Sequence, residues 1–220
     1  MKKLYIYIII VITLFFSANA EGRFRKEVLW NLLAAPAYGF VQLNIHEGSH
    51  ALGALTVGAE LIQYQPYPSL ENGIFMWGKV VTNKIYDRHE NGFVLVAPYI
   101  SDVVIFTASD IILSTEVISP HSISGGILFI AGMVAPFADF VANINNWSEG
   151  NDFTRISELY DIPRVFPMII GNIISAVALW RIVAVGMKVF FEEEEETQQI
   201  SFSVMPTVGG GGSMSFSFQF

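Results

Sequence analysis

His46, Glu47 and His50 lie close together in an apolar stretch of the chain, the segment NIHEGSHALGALTVG at residues 44–58. Residues four apart share one face of a helix, so the imidazoles of His46 and His50 can reach a single ion. Glu47 is rotated off that pair but lies beside it, near a water bound to the ion. In this H-E-x-x-H arrangement the two histidines hold zinc and the glutamate is the general base. The spacing therefore predicts Zn2+ ligands at His46 and His50 and a general base at Glu47.

The surroundings of the histidine pair favour a metal site. The alternative is that the two histidines are polar helix residues that hydrogen-bond to neighbouring groups and hold no metal. Ala54 and Gly58 continue the ladder of positions four apart and leave a ridge of small residues, where another helix can approach closely. Polar groups in a membrane helix are costly, and they usually mark function.

The bulk composition indicates a membrane protein. The chain has 220 residues, of which 52% are hydrophobic and only 15% are charged, whereas a soluble domain is about a quarter charged. The net charge of −8 argues against nucleic acid as a partner, because binding phosphates requires a basic surface. The chain has no cysteine, which excludes disulfides and thiolate zinc sites and leaves His and carboxylates as metal ligands.

The N-terminus has the pattern of a secretory signal. Lys2 and Lys3 precede an uninterrupted apolar run at residues 4–16, and Ala20 closes an A-N-A cleavage site. We expect residues 1–20 to be removed, with an uncleaved membrane anchor as the alternative. The domains that follow are a membrane metalloprotease-like domain at 21–191, an acidic spacer at 192–199 and a tail at 200–220.

The hydropathy pattern predicts a mainly α protein, a polytopic membrane helical bundle with small β-hairpins at 61–82 and 200–220. The predicted membrane spans number about four, and they cover approximately residues 28–58 (with Pro36 as a kink), 91–114, 117–138 and 163–188. A polar loop is expected at 143–155. The tail alternates apolar and polar residues around four glycines; it is either a packed hairpin or an edge that holds substrate.

The motif and its context resemble the site-2 protease family of intramembrane zinc metalloproteases. His46 to His50, followed by Ala54 and Gly58, matches the family signature H-E-x-x-H-x-x-x-A-x-x-x-G, and residues 97–102 (APYISD) loosely match its A-G-P-x-x-N. The resemblance implies that Asp152 is the third zinc ligand. It also implies an oxyanion-stabilising amide from one of the nearby residues Asn143, Asn145 and Asn146.

Other acids remain alternatives for the third ligand. They are Asp102, Asp110, Asp139 and Glu149. Asp139 ends a predicted helix, where it can simply face water. Asp102 and Asp110 lie inside a predicted span, where one of them can instead accept a histidine proton.

The resemblance implies a zinc-dependent intramembrane endopeptidase. A zinc-bound water would attack the peptide bond of a membrane-embedded protein or peptide substrate, with Glu47 as general base. The expected surroundings are the lipid bilayer of the bacterial inner membrane. One alternative is a non-catalytic membrane scaffold that binds a partner; another is a metal-ion transporter, although the repeated halves expected of a transporter are not visible in the sequence.

Overall fold

A computed structural model describes Asn31 and residues 34–71, 74–148, 150–190, 201–206 and 212–217. The expected signal peptide at 1–20 and acidic spacer at 192–199 lie outside these residues, as does Glu149.

The described part of the chain is mainly helical, as the sequence predicts. The helices are α1 (Ala35–Thr56), α2 (Arg88–Ser114), α3 (Ile123–Phe129), α4 (Ala135–Asn145), α5 (Asp152–Tyr160) and α6 (Val165–Phe190). A π-helical turn at Ile130–Val134 joins α3 to α4, so that 123–145 forms one continuous helical rod.

Three helices in the described residues are long and apolar enough to cross a membrane, rather than the four that the sequence predicts. They are α2, the rod at 123–145 and α6, with 27, 23 and 26 residues. Their length and composition favour a membrane protein. Helix α1, predicted as the first span, is long enough with 22 residues, but it carries Gln42, Asn44 and the H-E-x-x-H residues. These polar side chains lower its hydropathy, and Gln42 and His46 are buried within the bundle.

The two predicted hairpins are present. Between α1 and α2, strand β1 (Leu61–Gln65) pairs antiparallel with β4 (Lys79–Thr82), and β2 (Ser69–Glu71) pairs with β3 (Ile74–Met76). In the tail, β5 (Ser201–Pro206) pairs antiparallel with β6 (Gly212–Ser217).

Local sequence signals set the helix ends. Pro36 lies in the first turn of α1, where a missing N–H costs nothing, so it does not kink the helix. Gly58 follows α1 with φ +78°, a left-handed conformation that glycine adopts without strain. Asp87 and Glu90 form a capping box at the start of α2. Ser122 caps α3 through the backbone N–H of Gly125.

The rod at 123–145 extends farther than predicted and brings polar residues into the bundle. It begins after the Ser122 cap and ends at Asn145, so that Asp139 and Asn143 are helical rather than terminal or in a loop. The π turn precedes Pro136, which has no N–H to donate. One extra residue in the turn rotates the following helix by about 100° relative to a regular α-helix.

The apolar core lies between α2, the π turn and α6. Its buried members are Leu113, Phe129, Ile130, Met133, Ile182, Val185, Val189 and Phe190. The opposite face of α6 exposes large apolar side chains such as Ile169, Ile173, Val177 and Trp180. A helix that is apolar on both faces suits lipid on one side and protein on the other.

An ion pair ties α2 to α6 within this apolar region. Arg181 donates from Nε to Asp110 Oδ2 (2.9 Å) and from Nη2 to Asp110 Oδ1 (2.7 Å), and Nη2 also donates to Ser114 Oγ (2.8 Å). This bidentate geometry fixes the two helices against each other. Asp110 is therefore engaged at a structural contact with α6.

Removing one partner of this ion pair should destabilise the fold more than removing both. We expect Asp110→Leu alone to lower the free energy of unfolding by about 3 kcal/mol, because it leaves the Arg181 charge unpaired in a helix long and apolar enough to span a membrane. The double variant Asp110→Leu/Arg181→Leu should recover most of that loss. Thermal unfolding in detergent measures the stability of the single and the double variant. A double variant that is destabilised by the sum of the two single losses would contradict the expectation.

Candidate metal centre

The structure brings His46 and His50 of α1 together with Asp152, the first residue of α5. Asp152 Oδ2 lies 3.2 Å from His46 Nε2 and 3.1 Å from His50 Nε2. All three side chains are largely shielded from solvent, and they form a candidate metal-binding group. Ligands held about 2.0–2.1 Å from a tetrahedral ion are about 3.3 Å apart, so this spacing fits a metal such as zinc.

The second nitrogen of each imidazole is also engaged. His50 Nδ1 lies 2.8 Å from the backbone oxygen of Val94, and His46 Nδ1 lies 2.7 Å from Asp139 Oδ2. A carbonyl oxygen only accepts, so His50 Nδ1 carries the proton and donates it. Nε2 is then the nitrogen of His50 that is placed to bind a metal together with Asp152. Such a partner on the far nitrogen is typical of metal-bound histidines.

Two imidazole lone pairs and a carboxylate oxygen at this distance require positive charge between them. Without a metal, that charge comes from imidazole protons. Burial raises the pKa of Asp152, but hydrogen bonds from His46 and His50 outweigh it and hold this pKa well below its ordinary value. Asp152 therefore stays ionised and ready to bind a cation. Two imidazoles and one carboxylate suit zinc, and they also suit ferrous iron.

Local sequence explains how Asp152 reaches the histidines. Asn151 is the N-cap of α5, and its Oδ1 accepts from the backbone N–H of Phe153 (3.0 Å) and of Thr154 (3.3 Å). Asp152 is then held in the first turn, where the helix dipole favours an acid. The resemblance named this residue although it lies 102 positions after His50.

A hydrogen-bonded chain links the cap of α5 back to His46. Asn151 Nδ2 donates to Asn143 Oδ1 (2.9 Å), and Asn143 Nδ2 donates to Asp139 Oδ1 (3.1 Å). Asp139 in turn holds His46 Nδ1, and His46 Nε2 faces Asp152. The ring of contacts fixes α1, α4 and α5 in register around the centre.

The three asparagines named for the oxyanion occupy different places. Asn143 belongs to the chain of hydrogen bonds just described, with both amide functions engaged. Asn145 is exposed; it donates to the backbone oxygen of Val141 (2.9 Å) and accepts from Asn172 (3.3 Å). Asn146 is the exposed C-cap residue of α4. An oxyanion role for any of them stays a prediction.

The other candidate acids that the structure describes lie outside the group formed with the two Nε2 atoms. Asp139 contacts the far nitrogen of His46, and Asp110 pairs with Arg181. Asp102 is buried in α2 and accepts from Gln42 Nε2 at 2.7 Å. In this geometry Asp139 orients His46, a role that the sequence had suggested for Asp102 or Asp110, while Asp139 was expected to face water.

Glu47 lies beside the centre, beneath the hairpin. Its carboxylate interacts electrostatically with His50 and His46. Gly78, at the start of β4, packs so closely on this carboxylate that a Cβ at position 78 would overlap it. The glycine thus allows the hairpin to cover the predicted general base.

Tyr99 is a member of the site that sequence reasoning missed. Its hydroxyl donates to Asp152 Oδ2 at 3.3 Å. The ring is buried, 4.4 Å from the ring of Phe153 and edge-on to His46 at 5.9 Å between centroids. The signal was available in APYISD, where the aromatic hydroxyl follows a proline inside a predicted span.

No protein-family model, curated protein or solved structure matches this chain.

Proposed function

We propose that this protein is a zinc-dependent intramembrane endopeptidase of the site-2 protease type, located in the bacterial inner membrane. The observation that carries the proposal is the meeting of His46 Nε2, His50 Nε2 and Asp152 Oδ2 beside Glu47, in a chain whose described residues include three helices long enough to span a bilayer. The H-E-x-x-H motif and the resemblance at residues 46–58 support it.

His46, His50 and Asp152 would hold the ion. A zinc ion in such a site lowers the pKa of water to about 7 and polarises a carbonyl group. Glu47 accepts the proton of the attacking water and passes it to the leaving amine. Tyr99 and Asp139 hold Asp152 and His46 in place by the hydrogen bonds described above.

The proposed substrate is a membrane-embedded peptide segment that is held in an extended conformation beside the metal centre. A peptide bond in a membrane helix is shielded by its own hydrogen bonds, so the substrate segment must unwind before Glu47 can act on it. The two-stranded sheet of β1 and β4 lies next to Glu47 through Gly78. An extended segment that pairs with a strand edge would be held near the centre, since strand addition satisfies its backbone groups.

A metal-exchange experiment tests the proposal. Purified protein in detergent should hold about one zinc per chain and little iron, because three protein ligands and one open position define a catalytic zinc site. After reconstitution with a set of single-span membrane proteins, cleavage should stop on chelation and return on addition of zinc. Iron as the resident metal, or cleavage that survives complete chelation, would contradict the proposal.

A non-catalytic membrane scaffold is the second candidate. The observation that favours it is the close packing of Gly78 on the Glu47 carboxylate, which covers the general base. A scaffold would hold its metal and cleave none of the substrates, and Glu47→Gln would leave partner binding intact.

A further inference from the structure

The backbone oxygen of Val94 accepts the Nδ1 proton of His50 although it lies in the interior of α2. In a regular α-helix this oxygen accepts from the N–H four residues later. Residue 98 is Pro98, which is buried inside α2 and has no N–H. The proline ring also crowds the carbonyl one turn before it, which tilts that oxygen out of the helix. The Val94 oxygen is therefore available to a neighbouring helix.

Close contact between α1 and α2 places His50 within reach of this oxygen. Gly53 lies one turn after His50, and a Cβ built on it would be 3.1 Å from Ala97 Cβ and 3.4 Å from Val94 Cα. Such a spacing is tighter than ordinary van der Waals contact. A glycine at position 53 thus lets the two backbones approach, and a Cβ there would require Ala97 or Val94 of α2 to shift by a few tenths of an ångström.

We propose that Pro98 is a positioning residue for the metal centre: it frees the Val94 oxygen, which holds a proton on His50 Nδ1 and so leaves Nε2 as the nitrogen that binds a metal with His46 and Asp152. Gly53 permits the approach that this contact needs. The inference rests on the metal-binding part of the proposed function and does not require that the protein cleave peptides.

The same turn of α2 contacts two of the proposed metal ligands, His50 and Asp152. Pro98 releases the acceptor for His50, and the next residue, Tyr99, donates to Asp152 Oδ2. The acceptor for His50 is a neutral carbonyl, whereas the acceptor for His46 is the carboxylate of Asp139. The proton on His50 Nδ1 is therefore held without adding another negative charge to the buried centre.

Nitrogen-15 NMR of histidine-labelled, metal-free protein in detergent tests this assignment, because it shows which ring nitrogens of His50 carry a proton. In the wild type, the His50 signals, identified by their loss in His50→Gln, should show a proton on Nδ1. Pro98→Ala restores an N–H that competes for the Val94 oxygen, so a smaller fraction of His50 should carry a proton on Nδ1. Zinc affinity, measured by competition with a chelator, should fall about 10- to 100-fold, as is typical when a partner of a metal-bound histidine is lost.

Two further variants separate positioning from a general effect of proline on folding. Pro167→Ala changes a proline in the first turn of α6, where the N–H has no helical partner, and should leave Nδ1 protonation and zinc affinity unchanged. Gly53→Ala adds no N–H but displaces α2 slightly at Ala97 or Val94, so it should also weaken zinc binding. Thermal unfolding reports whether each variant is folded.

The outcomes are decisive in both directions. A wild-type His50 without a proton on Nδ1 overturns the proposal, and so does a folded Pro98→Ala protein with unchanged Nδ1 protonation and zinc affinity. If the wild type binds no zinc, the proposed function fails, while the NMR measurement still decides the role of Pro98.

Discussion

Replacing Glu47 with Gln is expected to lower the rate of substrate cleavage by roughly 10²- to 10⁴-fold, the usual cost of losing a general base. The amide has the same shape as the carboxylate but cannot accept the proton of the attacking water. Glu47 is not among the three grouped ligand residues, so zinc content and unfolding temperature should stay close to those of the wild type. Cleavage in proteoliposomes and zinc content per chain measure the two effects.

Glu60 offers a matched control for this substitution. It lies just before β1, is exposed, and accepts a hydrogen bond from Asn83 Nδ2 (2.7 Å). Glu60→Gln makes the same chemical change in the same region and should preserve cleavage. A Glu47→Gln protein that cleaves at the wild-type rate would remove Glu47 from the mechanism.

Removing any one of His46, His50 and Asp152 is expected to reduce bound zinc from about one per chain to nearly none. Each Ala variant leaves only two protein ligands, whereas a catalytic zinc site needs three. His89→Ala is the matched control, because His89 is exposed in the first turn of α2 and should not affect zinc. Metal analysis after gel filtration in detergent measures the content.

Asn variants of the neighbouring acids test the assignment of the third ligand. Asp139→Asn should weaken zinc binding about 10- to 100-fold without abolishing it, because Asp139 only orients His46. Asp102→Asn should have a smaller effect, since Asp102 contacts Gln42 rather than a ligand. Full zinc content in Asp152→Ala, together with loss in Asp102→Asn or Asp139→Asn, would show that the third ligand was assigned to the wrong acid.

Much of the helical fold could be predicted from hydropathy alone. Helices α2 and α6 and the two hairpins follow from long apolar runs and from period-two alternation, which are local properties. The sequence predicted one spanning helix more than the described residues contain. Helix α1 is long enough to span a membrane, but its polar residues lower its hydropathy. The rod at 123–145 ended later than predicted, and Asp139 and Asn143 are therefore helical.

The sequence by itself determined the part of the centre that a single helix encodes. His46, Glu47 and His50 are adjacent through helical periodicity, so their spacing was sufficient to group them. The convergence of Asp152, Asp139 and Tyr99 on the same point was decided by tertiary structure, because each lies on a different helix and is far away along the chain. The packing of α1 against α2 at Gly53, and the backbone oxygen that Pro98 frees, depend on how two helices meet, a relation that no local pattern in either segment specifies.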